Sequence, residues 1–296
     1  MDHWLKVELT VPAAAVAAVA DAFQTLGALS LSLSDPGDNP ILEPAPGTEP
    51  LWPEVTVCAL LPPDTRNDAV EASLGLALRQ PLPPISCGLL RERDWIGEFR
   101  ENLKPLRFGR RLWICPVGTS CPDVNGVAVE LEPGLAFGSG SHPTTRMCLE
   151  WLAGLDLCGC SVLDWGCGSG ILAIAALALG ANGATAIDID PQALQATRDN
   201  AQHNGCLAGL RVVEPAQLPG RERYDVVIAN IVAQVVIDLA PRLSRCCRTG
   251  ARVALSGILT TQAAKVRGAC APWLDLHVAG ELDGWVLLAG VSDGTE

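Results

Sequence analysis

Aromatic residues are scarce in this 296-residue chain, which has eight Trp, four Phe and one Tyr. An interior built from rings is excluded, and the abundant Ala, Leu and Val point to an aliphatic core. Long apolar runs are missing as well. The most apolar stretch, Ile171 to Leu179, has nine residues and stops at Gly180, whereas a membrane span needs about 20. The opening MDHWLKVELT has acidic and aromatic residues where a secretory signal would put a basic and then an apolar stretch. Basic residues are outnumbered, 21 against 33 acidic ones, for a net charge of -12. Proteins that grip nucleic acid phosphates carry a basic patch or stripe, so this balance argues against that role and suits a cationic partner. Twelve cysteines are present, yet no C-x-x-C spacing occurs, only Cys158-Gly-Cys160 and the adjacent Cys246 and Cys247. That favours reduced thiols in a cytosolic protein over a metal site or a disulfide framework. With 49% apolar and 18% charged residues, disorder is excluded and there is chain enough for one large or two ordinary domains.

The first 92 residues read as one small unit. Leu5, Val7 and Leu9 alternate with Lys6 and Glu8, the pattern of a half-buried strand. Pro12 starts an Ala-rich helix to about Leu26, and a second strand follows near Leu29 to Leu33. The Pro-, Gly- and Asp-rich stretch from Ser34 to Pro50 is a loop. Glu54 to Leu61 reads as a strand, Asp64 to Leu78 as a helix and Ile85 to Leu90 as a strand. The order β-α-β-β-α-β predicts a ferredoxin-like α+β domain.

Residues 93–117 hold six basic residues against three acidic ones. They read as a connector, which either touches an acidic partner such as RNA or simply joins two acidic domains. Beyond 118, strands and helices alternate. Val162 to Trp165, Ala184 to Ile189, Leu210 to Val213, Asp225 to Ala229, Arg252 to Leu255, Leu274 to Val278 and Trp285 to Leu288 read as strands. Helices lie between them, for example from Pro191 to near Asn204 and from Val232 to Arg245. The alternation predicts a seven-stranded, Rossmann-like α/β domain with a parallel sheet and helices on both faces. The expected domains are therefore 1–92, a linker at 93–117, and 118–296.

The strongest local signal is Val162-Leu-Asp164-Trp165-Gly166-Cys-Gly168-Ser-Gly170, where a strand becomes a helix. Glycines there let the backbone approach a ligand, although a plain tight turn would look the same. The spacing is G-x-G-x-G, and the third glycine position of the dinucleotide fingerprint G-x-G-x-x-G holds Ile171. Asp164, just before the turn, would repel a pyrophosphate. Both departures suit a ligand with a cationic amino-acid end. Asp188 lies 22 positions after Gly166 at a strand end, where a carboxylate can accept from both ribose hydroxyls. Asp190 competes for that role, but it precedes Pro191 and suits a helix N-cap. Asn230 ends the apolar strand from Asp225. It either lines a site at the open edge of the sheet or only forms a turn.

Together these residues make the chain resemble the class I S-adenosylmethionine-dependent methyltransferases. A narrower resemblance is carried by Pro133-Gly-Leu-Ala-Phe-Gly138-Ser-Gly-Ser-His142-Pro143-Thr-Thr145, continuing to Leu149-Glu-Trp-Leu152. Phe99-Arg-Glu-Asn-Leu-Lys-Pro-Leu-Arg107, Leu112-Trp-Ile114 and Leu255-Ser-Gly-Ile-Leu259 add to it. These segments are similar to those of the bacterial ribosomal protein L11 methyltransferases, over essentially the whole chain. Ser139 and Ser141 stand where that family has Thr, and Trp165 replaces a smaller apolar residue.

The resemblance implies methyl transfer from S-adenosylmethionine, with no metal, to lysine side chains and the N-terminal amine of ribosomal protein L11. Thr145, Gly166, Asp188 and Asn230 match the family's cofactor-binding positions, and Asn230 could also orient the amine. Thr145 is implied by the resemblance alone, since its hydroxyl could equally cap the helix near Met147 to Leu152. His142 reads as a structural histidine or a catalytic base. Residues 1–92 would hold the substrate, and their four basic and twelve acidic residues suit a basic ribosomal protein. The substrate would be met free or in the large ribosomal subunit, by a cytoplasmic monomer, with no membrane and only incidental RNA contact. The alternatives are a methyltransferase for another protein or small molecule, and a non-catalytic ribosome-binding protein that keeps a cofactor fold.

Overall fold

The computed structural model describes residues 3–37, 41, 48, 50–79, 81–91, 104–131 and 140–293. Residues 93–103 of the connector, 133–139 of the glycine-rich signature and most of the loop expected at 34–50 lie outside the described residues. The chain divides into two compact units, Met1–Trp95 and Ile96–Glu296.

In the first unit, strands β1 (His3–Pro12), β2 (Ser30–Ser34), β3 (Glu54–Leu61) and β4 (Ile85–Arg91) pair in the order β2-β3-β1-β4. Every pairing is antiparallel. Side chains alternate across a strand, so Val7, Leu9 and Val11 of β1 and Val55, Val57 and Leu61 of β3 are buried on one face. Helices α1 (Val16–Thr25) and α2 (Asn67–Leu78) cover that face with Val19, Phe23, Val70 and Leu74. The first helix starts later than Pro12 because a 3-10 turn, Ala13–Ala15, precedes it. The second starts later than Asp64 because the Thr65 N–H closes a turn onto the Pro62 carbonyl at 3.0 Å.

The second unit is built on a seven-stranded sheet. Its strands are β8 (Ser161–Trp165), β9 (Gly183–Ile187), β10 (Leu210–Val213), β11 (Tyr224–Asn230), β12 (Cys247–Leu259), β13 (His277–Leu282) and β14 (Trp285–Val291). Their order is β10-β9-β8-β11-β12-β14-β13. The first five run parallel, while β14 is antiparallel to both β12 and β13. The wholly parallel sheet expected above is therefore corrected to a mixed one. The cause is the turn Asp283-Gly284, with φ of 50° and 79°. A two-residue turn with both φ positive makes a hairpin and cannot join parallel strands. The strand expected at Leu274 to Val278 also lies later, at His277–Leu282, because Leu274 makes only an isolated bridge with Ser292.

Helices α3 (Pro143–Ala153), α4 (Ile171–Ala178) and α5 (Pro191–His203) contribute to one buried cluster through Leu149, Leu152, Ile174 and Leu194. Helices α6 (Ala233–Cys246) and α7 (Ala263–Cys270) contribute to a second through Val236, Leu243 and Val266. Both faces of the sheet are thus covered, as parallel strands require.

Two strands lie within the stretch expected as a connector, 93–117. Residues Leu106–Phe108 (β5) and Leu112–Pro116 (β6) pair antiparallel, and β6 pairs parallel with β7 (Val127–Leu131). Phe108, Leu112, Ile114 and Val129 are buried in the same cluster as α3 and α4. Apolar burial, not the surrounding arginines, decides the fate of this stretch. All twelve cysteines are free, and no helix among the described residues is long and apolar enough to cross a membrane.

Candidate active site

Strands β8, β9 and β10 proceed outward in one direction, and the chain then crosses back to place β11 on the other side of β8. That reversal opens a crevice at the carboxyl ends of β8 and β11, where ligands bind in open α/β sheets. The glycine turn leaves β8 at this point. Gly166, Gly168 and Gly170 have φ of 79°, 54° and 78°. The N–H groups of Gly166 and Cys167 both donate to the Ile187 carbonyl, at 2.7 and 2.9 Å. A Cβ on Gly166 would stand 2.2 Å from Ile231 Cγ2, and one on Gly170 would stand 2.7 Å from Thr197 Cγ2. Helix α5 straps the turn from the side: Thr197 Oγ1 donates to the Gly168 carbonyl at 2.9 Å and Asn200 Nδ2 to the Ser169 carbonyl at 2.9 Å.

Asp188 follows the last residue of β9 and is half-buried. Its Oδ2 accepts from the Gly168 N–H and its Oδ1 from the Asp190 N–H, each at 3.0 Å. The carboxylate is thereby fixed against the turn with lone pairs to spare. Asp190 spends its own Oδ1 on the Gln192 N–H at 2.8 Å, capping α5. Asp190 is thereby committed to the helix cap, one of the two tasks the sequence left open.

Asp164 is completely buried beneath the turn. Its Oδ2 accepts from the Ala173 N–H at 3.1 Å, while Oδ1 has no partner among the described residues. Burial pushes its carboxyl up to about 7, against the Ala173 hydrogen bond and with added repulsion from Asp188. Two carboxylates under one turn make the crevice attractive to a cation and hostile to a pyrophosphate. The next residue, Trp165, is accommodated by burial in the second cluster and by the Arg242 guanidinium, 4.8 Å over its ring.

Asn230, at the end of β11, donates from Nδ2 to Thr145 Oγ1 at 3.2 Å, across 85 residues of sequence. Thr145 is buried in α3, and the cap of that helix is His142. Its Nδ1 accepts from the Thr144 N–H at 3.4 Å and lies 2.7 Å from Thr144 Oγ1. The His142 ring stands edge-on to Trp285, with 5.4 Å between centroids, and burial lowers its pKa. The geometry gives His142 a structural task. Ile231, next to Asn230, is held by its N–H to the Ser256 carbonyl at 3.1 Å and lies under Gly257, where a Cβ would stand 2.5 Å from the Ile231 oxygen.

Gly166, Asp188, Asn230 and Thr145 therefore all lie at the switch-point edge. Sequence reasoning missed Thr197, Asn200 and Ile231, which shape the turn from other elements. The glycines at 166, 170 and 257 were the available signal that something approaches closely.

Comparison with known proteins gives a full-length match. A family model described as ribosomal protein L11 methyltransferase (PrmA) covers residues 3–293. The ribosomal protein L11 methyltransferase of Azotobacter vinelandii is 48% identical over 289 residues, 97% of this chain and 99% of that one. The protein of the same name from Pseudomonas aeruginosa is 46% identical over 288 residues, 97% of this chain and 98% of its own. Among solved structures, a ribosomal protein L11 methylase from Lactobacillus delbrueckii subsp. bulgaricus is 30% identical with a TM-score of 0.59, covering 65% of this chain and all of that one. With this glycine turn and these extents of similarity, the chain belongs to the ribosomal protein L11 methyltransferase family.

Proposed function

We propose that this chain transfers methyl groups from S-adenosylmethionine to amines of ribosomal protein L11, namely lysine side chains and the N-terminal α-amine. As a family member it is an S-adenosylmethionine-dependent protein methyltransferase. The crevice fits that cofactor. The turn at Gly166 and Gly170 is held tight by Ile231 and Thr197, which leave no room for a Cβ, so the backbone beside the crevice is fixed in place. The orphaned Asp164 Oδ1 and the nearby Asp188 suit a cation. We assign Thr145, Gly166, Asp188 and Asn230 to holding it, with the Asp188 carboxylate taking the ribose hydroxyls. When bound, the cofactor supplies a methyl group on a positively charged sulfur with a good leaving group.

The observation that carries the reading is the Asn230–Thr145 hydrogen bond. It fixes the amide with Nδ2 occupied and leaves Oδ1 to accept one N–H of an incoming amine. That bond would aim the nitrogen lone pair, and alignment of this kind replaces much of an entropic barrier. A lysine ammonium has a pKa of about 10.4 and no lone pair. The site must therefore take the neutral form, which partial desolvation favours. Asn230→Ala should lower kcat on ribosomal protein L11 about 100-fold. Steady-state kinetics at saturating cofactor measures this, and unchanged turnover with intact cofactor affinity would remove Asn230 from catalysis.

Asp164 adds a pH dependence. Its folded pKa is raised to about 7, so below that pH the carboxyl is protonated, and a cation binds its ionised form better. Cofactor affinity should climb by up to about tenfold per pH unit from about pH 5.5 and level off above about pH 7. Calorimetric titration should give this curve for the parent chain and a flat one for Asp164→Asn. A flat parent curve would contradict the assignment. We assign the first unit, acidic over residues 1–92, to holding the basic substrate, free or in the ribosomal subunit, and the protein to the cytoplasm.

A further inference from the structure

At the opposite edge of the same sheet, the amino ends of β8, β9, β10 and β11 line an open groove of about 500 Å³. Its wall includes Arg211, Arg223, Arg248, Glu222, Tyr224 and Thr185. Strands β8 and β9 are five residues long, so at about 3.3 Å per residue the groove lies roughly 15 Å from the glycine turn.

Most of these groups are locked by one another. Arg248 Nη1 lies 2.7 Å from both oxygens of Asp225, whose Oδ2 also accepts from the Ser161 N–H and hydroxyl at 2.8 and 2.7 Å. Partial burial works against ionisation of Asp225, but the Ser161 and Arg248 hydrogen bonds outweigh it and bring the carboxyl down to about 2. Arg211 donates to Glu222 Oε1 at 2.6 Å and to the Gln217 carbonyl at 3.1 Å. The Tyr224 hydroxyl donates to Glu222 Oε2 at 2.7 Å and lies 3.1 Å from Thr185 Oγ1. Two of the three guanidinium charges are thus matched by carboxylates. Arg223 is not: among the described residues its side chain bonds only the Glu222 main-chain oxygen, at 3.4 Å.

From this groove we infer a second ligand site, for a small phosphate ester, separate from the methyl-transfer crevice. The uncompensated Arg223 supplies the charge, and the free edge of Arg248 supplies fixed donors in the planar fork that suits a phosphate. The groove is wide enough to admit an organic group beside the phosphate. A polynucleotide fits less well, because its flanking phosphates would lie against a chain of net charge -12. Nothing in the methyl-transfer reading uses these residues, so the two stand or fall separately.

Calorimetry with uridine 5′-monophosphate and with uridine, both with S-adenosylhomocysteine saturating the crevice, tests the site. The phosphate ester should bind and the nucleoside should bind at least about tenfold more weakly. Arg223→Gln should weaken ester binding at least about tenfold while leaving the melting temperature and the S-adenosylhomocysteine affinity unchanged. Absence of ester binding, equal binding of the two compounds, displacement of the ester by S-adenosylhomocysteine, or indifference to Arg223→Gln would each overturn the inference. So would inorganic phosphate binding as tightly as the ester, or an RNA oligomer binding more tightly in an Arg223-dependent way.

Discussion

Gly166→Ala is expected to weaken S-adenosylmethionine binding by more than about 100-fold, from two effects that add. Alanine at a φ of 79° is strained by about 1–2 kcal/mol. Its Cβ would also stand 2.2 Å from Ile231 Cγ2, a distance no packing tolerates. Ile231 has little freedom to retreat. Its N–H is bonded to Ser256, and Gly257 lies so close to its backbone that a Cβ there would meet its oxygen at 2.5 Å. Relief must come from moving Ile231 together with Asn230, or from opening the turn. Either route damages the crevice, and about 3 kcal/mol in all corresponds to the stated loss. Calorimetry with S-adenosylhomocysteine, beside a melting curve to verify folding, measures it. A folded Gly166→Ala chain that binds as tightly as the parent would show that the turn does not hold the cofactor.

Asp188→Ala carries the second large effect. The substitution removes the proposed acceptor of the ribose hydroxyls and the strap to the Gly168 N–H. A hydrogen bond to a charged group contributes about 1.5–3 kcal/mol, so losing two toward the cofactor predicts a loss of at least about 100-fold in affinity. Turnover at saturating cofactor should fall far less. Asp190→Ala provides the contrast. It removes only the cap on the Gln192 N–H and should cost about 1 kcal/mol of stability with less than about fivefold change in affinity. Equal affinity losses in the two variants would contradict the division of labour between them.

Much of this architecture is legible from periodicity. Alternation at Leu5, Val7 and Leu9 marks β1, and the run from Ile171 marks a helix buried on all sides because it lies between the sheet and the small sheet of β5 to β7. Two features were obscured. The arginines around 107–111 drew attention to charge, while the buried Phe108, Leu112 and Ile114 decided the structure. Asp283-Gly284 is a hairpin signal, but strand-helix alternation over the preceding hundred residues argued for parallel pairing to the end. In the proposed site, Gly166, Asp188 and Asn230 are legible because a glycine turn, a carboxylate at a strand end and a polar residue closing an apolar strand are local patterns at fixed spacing. Thr145 was not, since its partner is 85 residues away and only similarity to a family pointed to it. Thr197, Asn200 and Ile231 act through tertiary contacts that no local pattern encodes.

Intact-mass and fragment mass spectrometry of unmethylated ribosomal protein L11, incubated with this chain and S-adenosylmethionine, reads the methyl transfer itself. Stepwise whole-methyl additions confined to lysine side chains and the N-terminal amine are expected, and they should disappear with Asp188→Ala at limiting cofactor. An unchanged mass from a chain that demonstrably binds S-adenosylmethionine would contradict the proposed reaction.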